Sequence, residues 1–138
     1  MATATGTATV PATAAAEVQV IKAGAGTAKT TQTAGFFRTE LIARPGVWIG
    51  TVRTPAGSTS DWHHHGDYDT YIVWRRGKAR MDYGPGGGRS CEVEAGDVTY
   101  VPMGAVHREA NIGDVENEAL LVRVGRGEPV FNTDGPAA

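Results

Sequence analysis

Four histidines are the residues of this chain best suited to metal chemistry: His63, His64 and His65 are consecutive, and His107 stands apart. Residues two apart in a β-strand point to the same face, so His63 and His65 share one face and His64 points the other way. Neutral imidazole binds iron, nickel, copper and zinc. Three protein ligands leave coordination positions open, as in catalytic metal sites. The spacing by itself is equally compatible with solvated or purely structural histidines.

Short strands must position these histidines, because apolar and alternating segments recur along the chain between glycine and proline turns. No 11-residue window shows the 3.6-residue apolar period of an amphipathic helix. The sequence therefore predicts an all-β sandwich or barrel of antiparallel strands. The predicted strands are residues 18–21, 36–43, 47–52, 70–74, 78–83, 90–94, 98–101, 107–111 and 119–124.

Length and composition exclude several classes of protein. The 138 residues suit one domain, and the single cysteine, Cys91, excludes an intramolecular disulfide and is consistent with a cytoplasmic location. The formal net charge of -2 argues against nucleic acid or an anionic membrane as a partner. No apolar run approaches the roughly 20 residues that span a bilayer. Residues 1–16 are rich in Ala and Thr and lack the features of a secretory signal, so we expect a flexible tail before one domain at 17–138.

Glycine and histidine recur in two patterns that flank the candidate metal ligands. The first pattern covers 57–77 and consists of Gly57, five residues, His63, one residue, His65, four residues, Thr70, six residues and Gly77. The second covers 96–111 and consists of Gly96, five residues, Pro102, one residue, Gly104, two residues, His107, three residues and Asn111. The two patterns resemble the two motifs of the cupin family: the second matches its motif at every fixed position, whereas the first departs once. Eighteen residues separate the two, which suits compact microbial cupins.

The resemblance implies a double-sheet jelly-roll barrel whose two motifs form facing hairpins. It also implies that His63, His65 and His107 together bind one divalent metal ion per chain. Iron(II) is the favoured ion, and zinc, nickel and manganese are the alternatives. Cupins usually pair, often by adding a terminal strand to a neighbour's sheet. We therefore expect a homodimer, with residues 128–131 as the segment that would make this contact.

The single departure from the motif is Thr70, because most cupins carry a glutamate ligand at that position. In one interpretation the site has three histidines and Thr70 contributes a hydroxyl beside them, as in oxygen-using cupins without a carboxylate ligand. In another, a local bulge turns Asp69 inward as a fourth ligand. We favour the first, because strand parity points Asp69 away from the histidines. A third interpretation is a weakened site that no longer holds metal.

Glu109 shares strand parity with His107 and is expected to face inward. Its carboxylate could orient a ligand imidazole or act as a base. An ion pair with an arginine, such as Arg80 or Arg123, is an equally good interpretation, since a buried carboxylate needs a partner.

Three functions follow from the resemblance. The first is a mononuclear non-haem oxygenase, dioxygenase-like, that acts on a small organic molecule. The second is a metal-dependent isomerase, lyase or cyclase that needs no oxygen, with Glu109 moving a proton. The third is a barrel that binds or senses a small molecule without turning it over. We rank an enzyme above a binder, although the fold alone does not determine function.

Overall fold

Two antiparallel sheets account for almost all the regular structure in the computed structural model, which describes residues 16–29 and 35–138. The expected tail at 1–16 lies outside the described residues except for Ala16. Within the described part, nothing helical is long and apolar enough to cross a bilayer. The strands are β1 (Thr27–Lys29), β2 (Phe37–Arg44), β3 (Val47–Thr54), β4 (His63–His64), β5 (Asp67–Arg76), β6 (Lys78–Tyr83), β7 (Arg89–Glu94), β8 (Val98–Val101), β9 (His107–Asn111), β10 (Asn117–Arg126) and β11 (Phe131–Asn132), with a short 3-10 turn at Pro85–Gly87.

The expected all-β double-sheet jelly roll is confirmed, as a sandwich of two sheets. One sheet has the strand order β1-β2-β3-β10-β5-β8, and the other has the order β11-β4-β9-β6-β7. Neighbours that are distant in sequence, such as β3 and β10, make this a jelly-roll arrangement and not a series of hairpins. The two cupin motifs therefore contribute strands to both sheets.

Apolar side chains from the inner faces of both sheets form one core. Along β5, Thr70, Ile72 and Trp74 are buried, as the period of two predicts, and Asp69 and Tyr71 lie on the other face. The buried indole of Trp74 donates a hydrogen bond from Nε1 to Thr99 Oγ1 at 2.9 Å, which satisfies its polar atom. The fully buried apolar residues of this cluster are Phe36, Val52, Ile72, Trp74, Ala79, Met81, Val101, Ala119 and Leu121.

Three glycines of the two motifs lie in turns, as the sequence predicts. Gly77, Gly96 and Gly104 have φ angles of 87, 98 and 71 degrees, which L-residues with a side chain rarely adopt. Gly77 also lies so close to Asn117 that an added Cβ would overlap the side-chain oxygen. The sharp turn after β5 therefore depends on glycine at this position.

The first predicted strand is wrong. Residues 18–21 form no strand, and Val18 and Val20 are 96% and 64% exposed, so the apolar side chains at the start of this segment are not packed into a sheet. Phe131, at the end of segment 128–131, pairs with His64 inside the same chain, so β11 forms the edge of its own sheet, and the expected contact with a neighbour's sheet stays a prediction. The short strands β1, β4 and β11 were not predicted, because two or three residues carry too little periodicity.

Candidate metal centre

The two motif hairpins bring three histidine rings together inside the sandwich. His63 on β4 and His107 on β9 are direct cross-strand partners, and their ring centroids are 4.4 Å apart. The ring of His65 lies 5.1 Å from that of His63 and 5.0 Å from that of His107. His64 points to the opposite face and stacks on Phe131 at 5.0 Å, as strand parity predicted.

The potential ligand atoms of these three imidazoles converge on one point. One ring nitrogen from each of His63, His65 and His107 lies within 4.8 Å of the others, and no Asp, Glu or Cys of the described residues joins this cluster. The three side chains are 1%, 3% and 2% exposed. This separation and burial are those of a closed pocket that could hold a single ion.

Backbone carbonyls orient all three rings. The Nδ1 atoms of His63, His65 and His107 lie 2.7, 2.8 and 2.9 Å from carbonyl oxygens. Because a carbonyl oxygen only accepts, each Nδ1 must carry the hydrogen, which leaves the lone pair on Nε2 free for a ligand. The three carbonyls belong to Asp61, Pro129 and Ala105, respectively.

The electrostatics of the cluster keep the imidazoles neutral. Burial, the neighbouring His107 and two arginine charges together lower the pKa of His63 to about 3. Burial and the same kind of neighbours lower the pKa of His65 to about 2. Burial also lowers the pKa of His107. Neutral imidazole is the form that binds metal, so the donor set is ready without loss of protons.

These residues fit a divalent metal ion. The buried Nε2 of His107 has no hydrogen-bond partner among the described residues, although a buried polar atom normally has one. A metal ion would satisfy this atom and the equivalent atoms of His63 and His65 together. The carbonyl contacts behind each ring are the outer contacts that metal-ligating histidines usually make.

The two candidate side chains at the departure from the motif lie on opposite faces of β5. Thr70 is fully buried and its Oγ1 has no hydrogen-bond partner among the described residues. Asp69 faces outward, where its Oδ1 accepts hydrogen bonds from the Tyr100 hydroxyl at 3.0 Å and from the Met103 N–H at 3.1 Å. The pairing of β5 with β8 is regular from Thr70 onward. The alternative with Asp69 as a fourth ligand is therefore wrong in this structure, because no bulge turns its carboxylate inward.

Glu109 is buried on β9, on the same side as His107. Burial raises the pKa of its carboxyl group to about 7, and the positive charge of Arg38 partly opposes this rise. Ser60 holds the local backbone, since its Oγ accepts the Glu109 N–H at 2.9 Å. Arg80, one of the two partners considered from the sequence, instead pairs with Asp82 at 3.0 Å.

Sequence reasoning did not identify Arg38 as a site residue and considered Arg123 only as a partner for Glu109. Both are buried in the larger sheet. A signal was present: Arg38 has the parity of the buried Phe36, and Arg123 has the parity of the buried Ala119 and Leu121. A charged residue on the apolar face of a strand is a marker of a polar interior.

Two cavities lie beside the cluster. One, of about 320 Å³, reaches His107 and is otherwise mainly apolar. The other, of about 230 Å³, includes Arg123 and also Pro129, whose carbonyl receives the His65 Nδ1–H. The first is lined by Met81, Tyr83, Cys91, Thr99, Tyr100, Val101, Pro102, Ala105 and His107. The second is lined by Lys29, Glu40, Trp48, Tyr68, Arg123 and Pro129.

Comparison with known proteins identifies the family and the fold. The family model described as "Cupin domain" matches residues 50–123. No curated protein matches the chain.

Solved structures show the same fold at low sequence identity. The polyketide cyclase RemF from Streptomyces resistomycificus superposes with a TM-score of 0.69 at 18% identity, over 85% of this chain and 86% of that one. A predicted oxalate decarboxylase from Thermotoga maritima gives a TM-score of 0.67 at 19% identity, over 78% of this chain and 100% of that one. Oxalate decarboxylase OxdC from Bacillus subtilis gives a TM-score of 0.63 at 23% identity over 75% of this chain. The match covers only 29% of the OxdC chain.

Proposed function

The chain belongs to the cupin family, and from this premise we propose that it is a metal-dependent enzyme acting on a small organic molecule as a mononuclear non-haem oxygenase of the dioxygenase type. One observation carries the proposal: three neutral imidazoles converge with free Nε2 lone pairs, and no carboxylate of the described residues joins them. Three neutral ligands leave the ion its full charge and several open positions.

His63, His65 and His107 would hold the metal through Nε2. A bound divalent ion would supply Lewis acidity and, if it is iron(II), electron transfer between an organic substrate and dioxygen; zinc, nickel and manganese are the alternatives. The carbonyl contacts of the three rings hold the ligand geometry before the ion arrives. The mainly apolar cavity beside His107 offers space for a small organic substrate.

Metal analysis and oxygen uptake test this proposal. Protein purified without chelators is expected to contain near one iron per chain. His107→Ala should lose the ion, whereas His64→Ala, which removes a ring that stacks on Phe131 on the opposite face, should weaken metal binding but retain the ion. Iron-loaded protein should consume oxygen with a member of a panel of diketones, thiols and catechols. Absence of metal after anaerobic reconstitution would contradict a metal-dependent enzyme and leave a binding protein.

A non-oxidative reaction, such as cyclisation, isomerisation or lyase chemistry, is the second candidate. It is favoured by the carboxyl group of Glu109, which is buried on the same strand and the same side as His107. The fold similarity to a polyketide cyclase agrees with this candidate. Turnover that is equal under anaerobic conditions, or with zinc in place of iron, would support it and exclude the oxygenase.

The expected homodimer stays a prediction. Sedimentation equilibrium measures it directly, and a monomeric profile at micromolar concentration would contradict it.

A further inference from the structure

A cavity of about 320 Å³ lies between β7 and β8, which are edge strands of different sheets in the described structure. The turn between these two strands is tied to the larger sheet, because the Gly96 N–H donates to the Trp74 carbonyl at 2.8 Å and the Trp74 N–H donates to the Asp97 carbonyl at 2.9 Å. Beyond this turn no ladder of hydrogen bonds joins β7 to β8. The two sheets therefore leave a gap along this side of the sandwich.

The cavity connects solvent to the candidate metal centre. Tyr83 and Tyr100 line it and are 37% and 55% exposed, so this part of the cavity lies at the surface. His107 also lines it and is 2% exposed, and its Nε2 has no hydrogen-bond partner among the described residues. A ligand in this cavity would therefore contact one of the three candidate metal ligands.

Uncharged side chains line this cavity, because no Asp, Glu, Lys or Arg of the described residues is among them. Buried Met81 on β6 and half-buried Cys91 on β7 are cross-strand partners, and both side chains belong to the lining. The buried charged residues of the interior, Arg38, Glu109 and Arg123, do not belong to it. The cavity is thus chemically distinct from the rest of the polar interior.

An ionised ligand would lose its hydration in this cavity without meeting a side chain of opposite charge. Burying an unpaired charge costs far more free energy than burying a neutral group, whereas apolar surface gains free energy when it leaves water. A metal ion at the histidines would bind the ligand atom next to it, and the rest of the ligand would still lie against uncharged side chains. The volume is at the lower end of the usual range for ligand pockets.

We propose that the cavity between β7 and β8 binds the ligand of the three-histidine centre, and that its uncharged lining selects a small, neutral, mainly apolar organic molecule. That this molecule is also the substrate rests on the proposed function.

Benzyl alcohol, benzylammonium and benzoate test the proposal, because they have similar shapes and differ in charge. Ligand-detected NMR titration of metal-free protein is expected to show benzyl alcohol binding at least about tenfold more tightly than either ion. Protein that retains its metal should show the same preference over benzylammonium. Benzoate is compared only in metal-free protein, because its carboxylate can bind an ion directly. Equal or tighter binding of either ion to metal-free protein would overturn the proposal.

Alkylation of Cys91 fills the cavity without a mutation. Cys91 is the only cysteine of the chain, and burial raises the pKa of its thiol, so N-ethylmaleimide is applied at alkaline pH. The modified protein should bind benzyl alcohol at least about tenfold more weakly, because the added ring occupies the cavity. Cys91→Ser treated in the same way is the control and should retain its affinity. Unchanged affinity after alkylation that intact mass shows to be complete would overturn the proposal.

A charge placed in the lining should change the selectivity. Cys91→Asp supplies a counter-charge for a cation, so it should shift the preference from benzyl alcohol toward benzylammonium by at least about threefold. Ser90→Asp is the matched control, because Ser90 is the preceding residue of β7 and is exposed. The same shift in both variants would overturn the placement of the ligand in this cavity. If Cys91→Asp does not fold, the alkylated wild-type protein decides.

The outcomes separate this inference from the proposed function. A preference for benzyl alcohol in a protein that cannot hold metal would support the neutral-ligand cavity and contradict the metal-dependent enzyme. Metal binding and oxygen uptake without any preference among the three probes would support the proposed function and overturn the neutral-ligand cavity.

Discussion

His65 and Pro129 are 64 residues apart in sequence, yet the Pro129 carbonyl accepts the hydrogen of His65 Nδ1 at 2.8 Å. This contact ties the third ring of the cluster to the segment that leads into β11. The same segment continues to Phe131, which pairs with His64 across the sheet and stacks on its ring. The segment from Pro129 to Phe131 therefore stabilises the orientation of the His65 ring in the candidate metal centre.

Phe131→Ala is expected to weaken metal binding, because it loosens β11 and with it the Pro129 carbonyl. Loss of an outer contact of a metal-ligating histidine typically costs about 10-fold to 100-fold in affinity. Competition with a chromophoric chelator measures the change. Phe37→Ala is the control, since Phe37 is 42% exposed, close to the 41% of Phe131, but lies on β2. Equal metal affinities in both variants would show that β11 does not support the site.

Thr70→Val should stabilise the protein. The hydroxyl of Thr70 is buried with no hydrogen-bond partner among the described residues, so valine should raise the unfolding free energy by ~1 kcal/mol. Urea unfolding measures the change. Thr99→Val is the control, since Thr99 Oγ1 accepts a hydrogen bond from Trp74 and its loss should destabilise the protein. A destabilised Thr70→Val would mean that the hydroxyl already has a structural role.

Glu109→Gln should change stability in a pH-dependent way in the metal-free protein. The folded-state pKa of about 7 exceeds the ordinary value of 4.5, so the folded protein retains a proton that the unfolded chain releases. The glutamate therefore costs increasing stability as pH rises from 4.5 to 7, and the cost stays constant above pH 7. Glutamine does not ionise, so the variant should gain roughly 2–3 kcal/mol relative to wild type across this window.

Urea unfolding of both proteins at pH 4.5, 6 and 7.5 measures this difference, and comparing the two cancels the contributions of the histidines. A difference that is independent of pH would show that Glu109 titrates normally.

Trp48→Phe should lower the unfolding free energy, because the ring that supports the buried Arg123 guanidinium becomes smaller and loses its contact with Glu40. Trp62→Phe is a matched control, since Trp62 makes a similar contact of 4.5 Å with Arg108, whose side chain is 39% exposed. The loss should reach about 2 kcal/mol in Trp48→Phe and stay near ~1 kcal/mol or less in Trp62→Phe, because the cation–π contact at the buried site is desolvated. Urea unfolding measures both changes, and equal losses in the two variants would show that burial does not strengthen the Trp48 contact.

Local periodicity allowed much of the fold to be predicted from the sequence. The alternation of side chains placed Thr70, Ile72 and Trp74 on the inner face of β5 and Asp69 on the outer face, and the structure has them so. It also assigned His63 and His65 to one face and His64 to the other. The period of two is a property of the extended backbone, so a few neighbouring residues are enough to determine it.

Only the tertiary structure decided which inward faces meet. The carbonyls of Asp61, Ala105 and Pro129 behind the histidines, and the approach of Arg38 to Glu109, depend on strand order and register between distant segments. The short strands β1 and β4 pair with the longer strands β2 and β9, and β11 pairs with β4, so their boundaries depend on partners that are distant in sequence. Sequence alternation states which side of a strand a residue occupies, but the packing of two sheets determines what lies opposite it.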